Sequence, residues 1–162
     1  MKAKDLMIPL YEHLTPDTSL KDAVRLLRDA KRGEEKVGVK GLPVLDSQTR
    51  LVGMLTMHDV LRAVYPAYLA MMNLGDFTWE GMIDSLAKQA GDRPVSAFMT
   101  NVVVTVRETD PLMECIDHML KSRIKRVPVI NAGGAVVGML YERDIFFAVA
   151  KKMLDEPNGG VL

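Results

Sequence analysis

Two short acidic motifs carry the chemistry that this sequence offers. Thr56, His58 and Asp59 follow the apolar run at residues 52–55, and Tyr141, Arg143 and Asp144 follow residues 137–140 in the same spacing. Thr56 and Asp59 fit a capping box, in which the threonine accepts from the first helical turn and the acid three residues on reaches back. The same carboxylate, if ionised, presents two acceptor oxygens to a ligand, and both readings stand. Tyr141 supplies no threonine cap to reciprocate, so Asp144 leans towards ligand contact, although an acid in a first turn is also favourable against the helix dipole. Cys115 and His118, with Glu114 four residues before the histidine, form a conceivable metal pair. Their counterparts elsewhere in the chain are Ala23 and Leu26, which makes Cys115 a small core residue and His118 a boundary one, so no metal is expected. No Gly-rich phosphate loop, zinc-spaced histidine pair or glycine-flanked serine is present, so no catalytic residue is expected.

The acidic motifs belong to a longer repetition. Leu42, Pro43 and Val44, then Val52, Gly53, Met54 and Leu55, recur as Val127, Pro128 and Val129, then Val137, Gly138, Met139 and Leu140. Pro128 follows Pro43 by 85 positions, and Asp144 follows Asp59 by the same 85. Spacing this rigid implies one supersecondary unit built twice, the two copies burying apolar faces against each other with function in the cleft between them. Upstream, Leu20, Ala23, Val24 and Leu27 keep the i, i+3, i+4, i+7 stripe of a half-buried helix, and Leu112, Cys115, Ile116 and Met119 reproduce it. Leu112 follows Leu20 by 92 positions, so the first copy carries seven extra residues (92 − 85), placed in a solvated, mobile loop at residues 32–36.

After each helix come two β-branched runs, residues 42–45 and 51–55 or 127–130 and 136–140, separated by a turn and read as a hairpin. Asn131, Ala132, Gly133 and Gly134 supply glycines able to take positive φ, whereas Asp46, Ser47, Gln48 and Thr49 read as a looser version. A short strand before each helix, at residues 12–14 and 102–106, reaches its hairpin by a right-handed crossover. A second helix starts at Met57 and at Glu142. The expected fold is α+β: strand, helix, strand, strand, helix, twice, related by a pseudo-two-fold, with small sheets packed against helices. Residues 1–72 form the first repeat, 73–93 a helical connector, 94–155 the second repeat and 156–162 a flexible tail. Tyr65, Tyr68, Met71, Met72, Phe77 and Trp79 precede a helix near residues 81–90 and either roof the core or form a dimer surface.

With 162 residues, 48% hydrophobic and 26% charged, the chain can bury one good core or two small ones sharing an interface. Basic and acidic residues both number 21, so no global basic field exists to hold a nucleic acid. The charged start leads into an apolar stretch too short for a signal or membrane segment, and a cytoplasmic, soluble protein is expected. One cysteine makes no internal disulfide, which suits a reducing compartment. The 12 methionines are flexible core filler.

The order of an apolar residue, Pro and Val, a hairpin, then Gly, two apolar residues, Thr, two residues and Asp resembles the cystathionine β-synthase (CBS) domain, here as a tandem pair covering nearly the whole chain. The resemblance implies a regulatory module that binds AMP, ADP, ATP or S-adenosylmethionine as a regulatory ligand rather than a required cofactor, and that commonly dimerises into a flat disc. Carried across residue by residue, it implies that Thr56 and Asp59 approach phosphate and ribose in the first repeat and Asp144 the ribose in the second, a carboxylate being able to accept from both ribose hydroxyls. His58 and Arg143 hold the position where the family often places a basic side chain. Thr100, Asn101 and Val103, with Val127 and Pro128 as the adenine wall, are implied for the second repeat, and Met7, Ile8, Leu42 and Pro43 are the first-repeat equivalents. Lys125 and Arg126, in the basic run of residues 121–126, either add phosphate charge or belong to a solvated face. Two departures stand out: Tyr141 replaces the threonine and either stacks on a base or plugs the cleft, and Pro9 near the position of Asn101 removes a backbone donor. The expected function is an adenosyl-ligand sensor, homodimeric, acting on an unknown regulated protein, with neither nucleic acid nor membrane as partner. The alternative is a purely structural dimerisation module whose clefts are filled by its own side chains.

Overall fold

A computed structural model describes residues 1–32, 35–36, 38–71, 80–101 and 104–155. In chain order its first elements are α1 (Ala3–Leu6), β1 (Ile8–Pro9), α2 (Leu20–Asp29), β2 (Lys31–Arg32), β3 (Glu35–Lys36), β4 (Gly41–Leu45), β5 (Leu51–Thr56) and α3 (Met57–Val64). There follow α4 (Met82–Gly91), β6 (Val106–Arg107), α5 (Leu112–Ser122), β7 (Arg126–Ile130), β8 (Val136–Tyr141) and α6 (Glu142–Met153). The chain divides into two compact units: a terminal unit of Met1–Leu10 with Val104–Leu162, and a central unit of Tyr11–Val103. Each contains the helix, hairpin and closing helix of one repeat, with α1 added in the terminal unit and α4 and the β2–β3 pair in the central one.

In the terminal unit the sheet order is β1-β8-β7-β6. β8 runs antiparallel to both β1 and β7, while β6 lies parallel to β7 with Val106 beside Val129. The parallel neighbour is what a crossover through α5 produces. Val106, Val127, Val129 and Leu140 are fully or almost fully buried against Cys115 and Met119 of α5 and Ile145 of α6. Burying each such side chain is worth roughly 1.5–3 kcal/mol. Residues 1–10 belong to this unit because their backbone is tied to it: Leu112 N–H donates to Met1 O at 3.0 Å, and Ala3 N–H to Asp110 O at 2.9 Å.

The central unit repeats the plan. β4 and β5 form an antiparallel hairpin with Pro43 opposite Met54, and the strand expected at residues 12–14 is a single parallel bridge of Leu14 to Val44. Ser19 starts α2 by accepting from Asp22 N–H, and the helix buries Leu20, Ala23 and Leu27 while Val24 turns outward. Residues 93–95 tie to the start of this helix as residues 1–3 tie to α5: Leu20 N–H donates to Arg93 O and Val95 N–H to Thr18 O, both at 2.8 Å. The helix expected near residues 81–90 is α4. Met72, Phe77 and Trp79 lie outside the described residues.

Two local expectations are corrected. The extra residues of the first copy contain an antiparallel pair, Lys31 with Lys36 and Arg32 with Glu35, rather than an open loop. The ribbon is closed at its base by Gly38 N–H to Ala30 O and Val39 N–H to Leu27 O. Gly38 takes φ +71°, and a Cβ there would lie 2.9 Å from the Arg28 carbonyl oxygen, so glycine is required. The turn at residues 46–49 is no looser than its counterpart. Asp46 Oδ1 accepts from Gln48 and Arg50 N–H at 2.9 Å, as Asn131 Oδ1 accepts from Gly133 and Ala135 N–H at 3.0 Å. Thr49 occupies the left-handed position, φ 59°, that Gly134 occupies at φ 82°.

Candidate ligand-binding residues

The candidate residues gather by unit in a way that their order in the sequence does not suggest. Ile8 stands beside Met139, which stands beside Pro128, so the N-terminal segment and the second hairpin form one row across β1, β8 and β7. In the central unit Thr100 stands beside Met54 and Met54 beside Pro43, with Met54 N–H to Thr100 O at 3.0 Å and Thr100 N–H to Met54 O at 2.9 Å. Met7 and Ile8 thus belong to the unit of Val127 and Pro128, and Thr100 and Asn101 to that of Leu42 and Pro43. Each leading segment pairs with the hairpin of the other repeat. Val103 lies outside the described residues.

The repeated glycine makes this pairing possible. A Cβ on Gly138 would sit 2.7 Å from Ile8 O and 2.9 Å from Met7 Sδ; one on Gly53 would sit 2.9 Å from Thr100 O and 2.8 Å from Met99 Sδ. Glycine inside a strand marks a close backbone approach, and here it admits the crossing segment. That signal stood in the sequence twice.

The terminal unit thus holds Met7, Ile8, Arg126, Val127, Pro128, Tyr141, Arg143 and Asp144. Arg126 is the register partner of Tyr141 at the end of the hairpin, and α6 begins one residue later. Asp144 lies in the first turn of α6 with its Oδ2 buried, and Arg126 Nε is buried as well. Arg143 is exposed, with its guanidinium 5.6 Å from the centre of the Phe147 ring, a cation–π distance.

The central unit holds Leu42, Pro43, Thr56, His58, Asp59, Thr100 and Asn101. Here the capping box is fully formed: Thr56 Oγ1 accepts from Asp59 N–H at 3.3 Å, and Asp59 Oδ2 accepts from Thr56 N–H at 2.9 Å and from its hydroxyl at 3.0 Å. Asp59 Oδ1 pairs with Nη2 of Arg62, and the aspartate is 2% exposed. Arg62 was not among the candidates, although an acid and an arginine three apart on a helix is a readable signal. His58 is exposed.

Cys115 is buried, and burial, with Asp110 and Glu114 adding to it, pushes its thiol up to about 11, so it stays protonated and unreactive at neutral pH. Among the described residues no group of three or more His, Cys, Asp or Glu is placed to hold a metal, and no helix is long and apolar enough to cross a membrane.

Repeated helix–hairpin–helix units with this paired segment define an α+β tandem module. The chain belongs to the CBS domain family, which matches it at residues 3–66 and 95–151. It is 26% identical over 153 residues to the uncharacterized protein MJ1004 of Methanocaldococcus jannaschii, covering 93% of this chain and 58% of that one. It is 28% identical over 132 residues to the chloroplastic CBS domain-containing protein CBSX2 of Arabidopsis thaliana, covering 77% of this chain and 52% of the other. The chain thus spans little more than half the length of these relatives. The crystal structure of CBSX2 in complex with AMP superposes with a TM-score of 0.67 at 26% identity, over 94% of this chain and 98% of that one.

Proposed function

We propose that this chain is a regulatory sensor that binds an adenine nucleotide through residues of its terminal unit and passes the occupancy to a partner protein, without catalysing a reaction itself. The observation that carries the reading is the row Ile8–Met139–Pro128, which puts the apolar residues expected to flank a base on the same three strands that lead into Tyr141 and Asp144. Asp144 supplies acceptors for a ribose diol, Arg143 and Arg126 supply positive charge, and Tyr141 offers a ring for stacking. AMP in the related CBSX2 structure supports an adenosyl ligand. Signalling follows if the ligand binds two arrangements of the protein unequally. Titration calorimetry with AMP, ADP, ATP and S-adenosylmethionine tests the reading. Asp144→Ala should cost about 1.5–3 kcal/mol, or about ten- to a hundredfold in affinity; equal binding by that variant removes Asp144 from the site.

The functional form is a homodimer. α3 with its capping residue Tyr65 exposes Met57, Leu61 and Tyr65 at i, i+4, i+8, and α6 exposes Phe146, Phe147 and Met153, with Phe146 at the repeat position of Leu61. A face present in both repeats is suited to isologous pairing with a second copy. Leu61→Glu with Phe146→Glu should leave a monomer in sedimentation. The same exposed faces favour the second reading, a structural dimerisation module. Melting decides between them, because a ligand at a hundred times its Kd adds about 2.7 kcal/mol to the folded state, and silence across the adenosyl series leaves only the structural reading.

A further inference from the structure

Resting on the adenosyl reading, we infer that Glu12 is a base-reading residue: its carboxylate accepts a hydrogen bond from the 6-amino group of adenine, so that the chain selects 6-aminopurines. Glu12 Oε2 is buried and accepts no hydrogen bond from any described residue, although the residue as a whole is half-buried. A buried acceptor left without a donor costs free energy, more so when it is charged, and calls for a donor from outside the fold. Glu12 lies in the central unit, two residues before Leu14. Leu14 is bridged in parallel to Val44, donating to Pro43 O at 2.9 Å and accepting from Leu45 N–H at 2.8 Å. Continuing that register two residues back brings Glu12 level with Leu42, the first-repeat counterpart of a residue expected to flank adenine. The two-residue period of an extended chain turns its side chain towards the face on which Leu14 is buried. The other repeat supplies the comparison. By the offset of 92 that relates the two leading segments, Leu14 corresponds to Val106 and Glu12 to Val104, which packs against the core of its own unit. Valine satisfies the fold at that position, so packing does not require the carboxylate. An ionised carboxylate only accepts, and the 6-amino group that AMP, ADP, ATP and S-adenosylmethionine share is a donor. A site built around such a hydrogen bond rejects the analogue that lacks the donor, because the acceptor is then left unpaired.

The experiment is calorimetry on the full chain with AMP and with purine riboside 5′-monophosphate, which carries hydrogen in place of the 6-amino group. Wild type should prefer AMP by about ten- to a hundredfold, the range of a hydrogen bond to a charged group. Glu12→Val, which copies Val104, and Glu12→Met should each bring the two ligands within about twofold of one another, by weakening AMP. Equal binding of the two by wild type, or a preference kept by both variants, overturns the inference and leaves the adenosyl reading standing. No binding of AMP by wild type removes both. Melting is the second readout. With no hydrogen bond from a described residue to lose at Oε2, both variants should melt no lower than wild type. A fall of more than about 4 °C in both would mean that the carboxylate holds a partner within the fold, and overturns the inference.

Discussion

The two hairpins have the same backbone and different chemistry at both ends. At the turn, Asp46 and Asn131 accept from the same two N–H groups, one as a charged acceptor and one as a neutral one, and Thr49 takes the left-handed conformation that Gly134 takes. At the far end, Thr56 leads into a capped, ion-paired Asp59, and Tyr141 leads into Asp144 with a cation–π pair beside it. The shared features are those the backbone requires: a side-chain acceptor at the turn, a glycine where a segment crosses, and a strand running straight into a helix. Charge and side-chain size at the same positions have diverged.

The comparison breaks most visibly at the crossing glycines. Gly138→Val, with its Cβ 2.7 Å from Ile8 O, should destabilise by about 3 kcal/mol, at the upper end of what overpacking costs. Gly53→Val should cost a similar amount, and a urea midpoint unmoved in either variant would mean that the segment does not cross there. Next in size are the helix starts, where Thr56→Ala should lose about 1 kcal/mol of stability. The Tyr141 side chain makes no cap hydrogen bond, so the same replacement there should not uncap α6.

Smaller still is the turn. Thr49→Gly should stabilise by about 0.5–1 kcal/mol, the left-handed penalty less the extra entropy of glycine, and Gly134→Thr should move denaturation the other way. The smallest effect is acid dependence. The Arg50 N–H, helped by the Gln48 N–H and the Arg50 side chain, holds the Asp46 carboxyl below the usual carboxylate range, against the opposing effect of desolvation. Its contribution is fully present above the unfolded value of about 3.9 and is lost as pH falls through the depressed folded value. Asp46→Asn copies Asn131 and should flatten the melting temperature between pH 5 and 2 relative to wild type. An unchanged acid slope would show that the charge adds nothing to the turn.

Much of this was legible in residue order. The stripe Leu20, Ala23, Leu27, the hairpins, the helices from Met57 and Glu142 and the capping box at Thr56 all follow from neighbours within a few positions. The equivalence of the two turns was misread because Thr49 lacks the glycine that advertises positive φ; the acceptor side chain of Asp46 was the better signal. The Arg62 pair was readable by its spacing, but the burial of Asp59 beside it was not, because burial depends on packing beyond the helix.

By itself the sequence determined the identity of the elements, their duplication and the family, because periodicity, caps and turn chemistry act over short distances along the chain. Tertiary structure decided which leading segment joins which hairpin: Met7 and Ile8 against Gly138, Met99 and Thr100 against Gly53. Both segments look alike in sequence and both hairpins offer the same glycine, so local pattern cannot choose between two chemically equivalent pairings. The choice belongs to packing, where Ala3 and Val95 are each buried in the core of the unit that their segment completes.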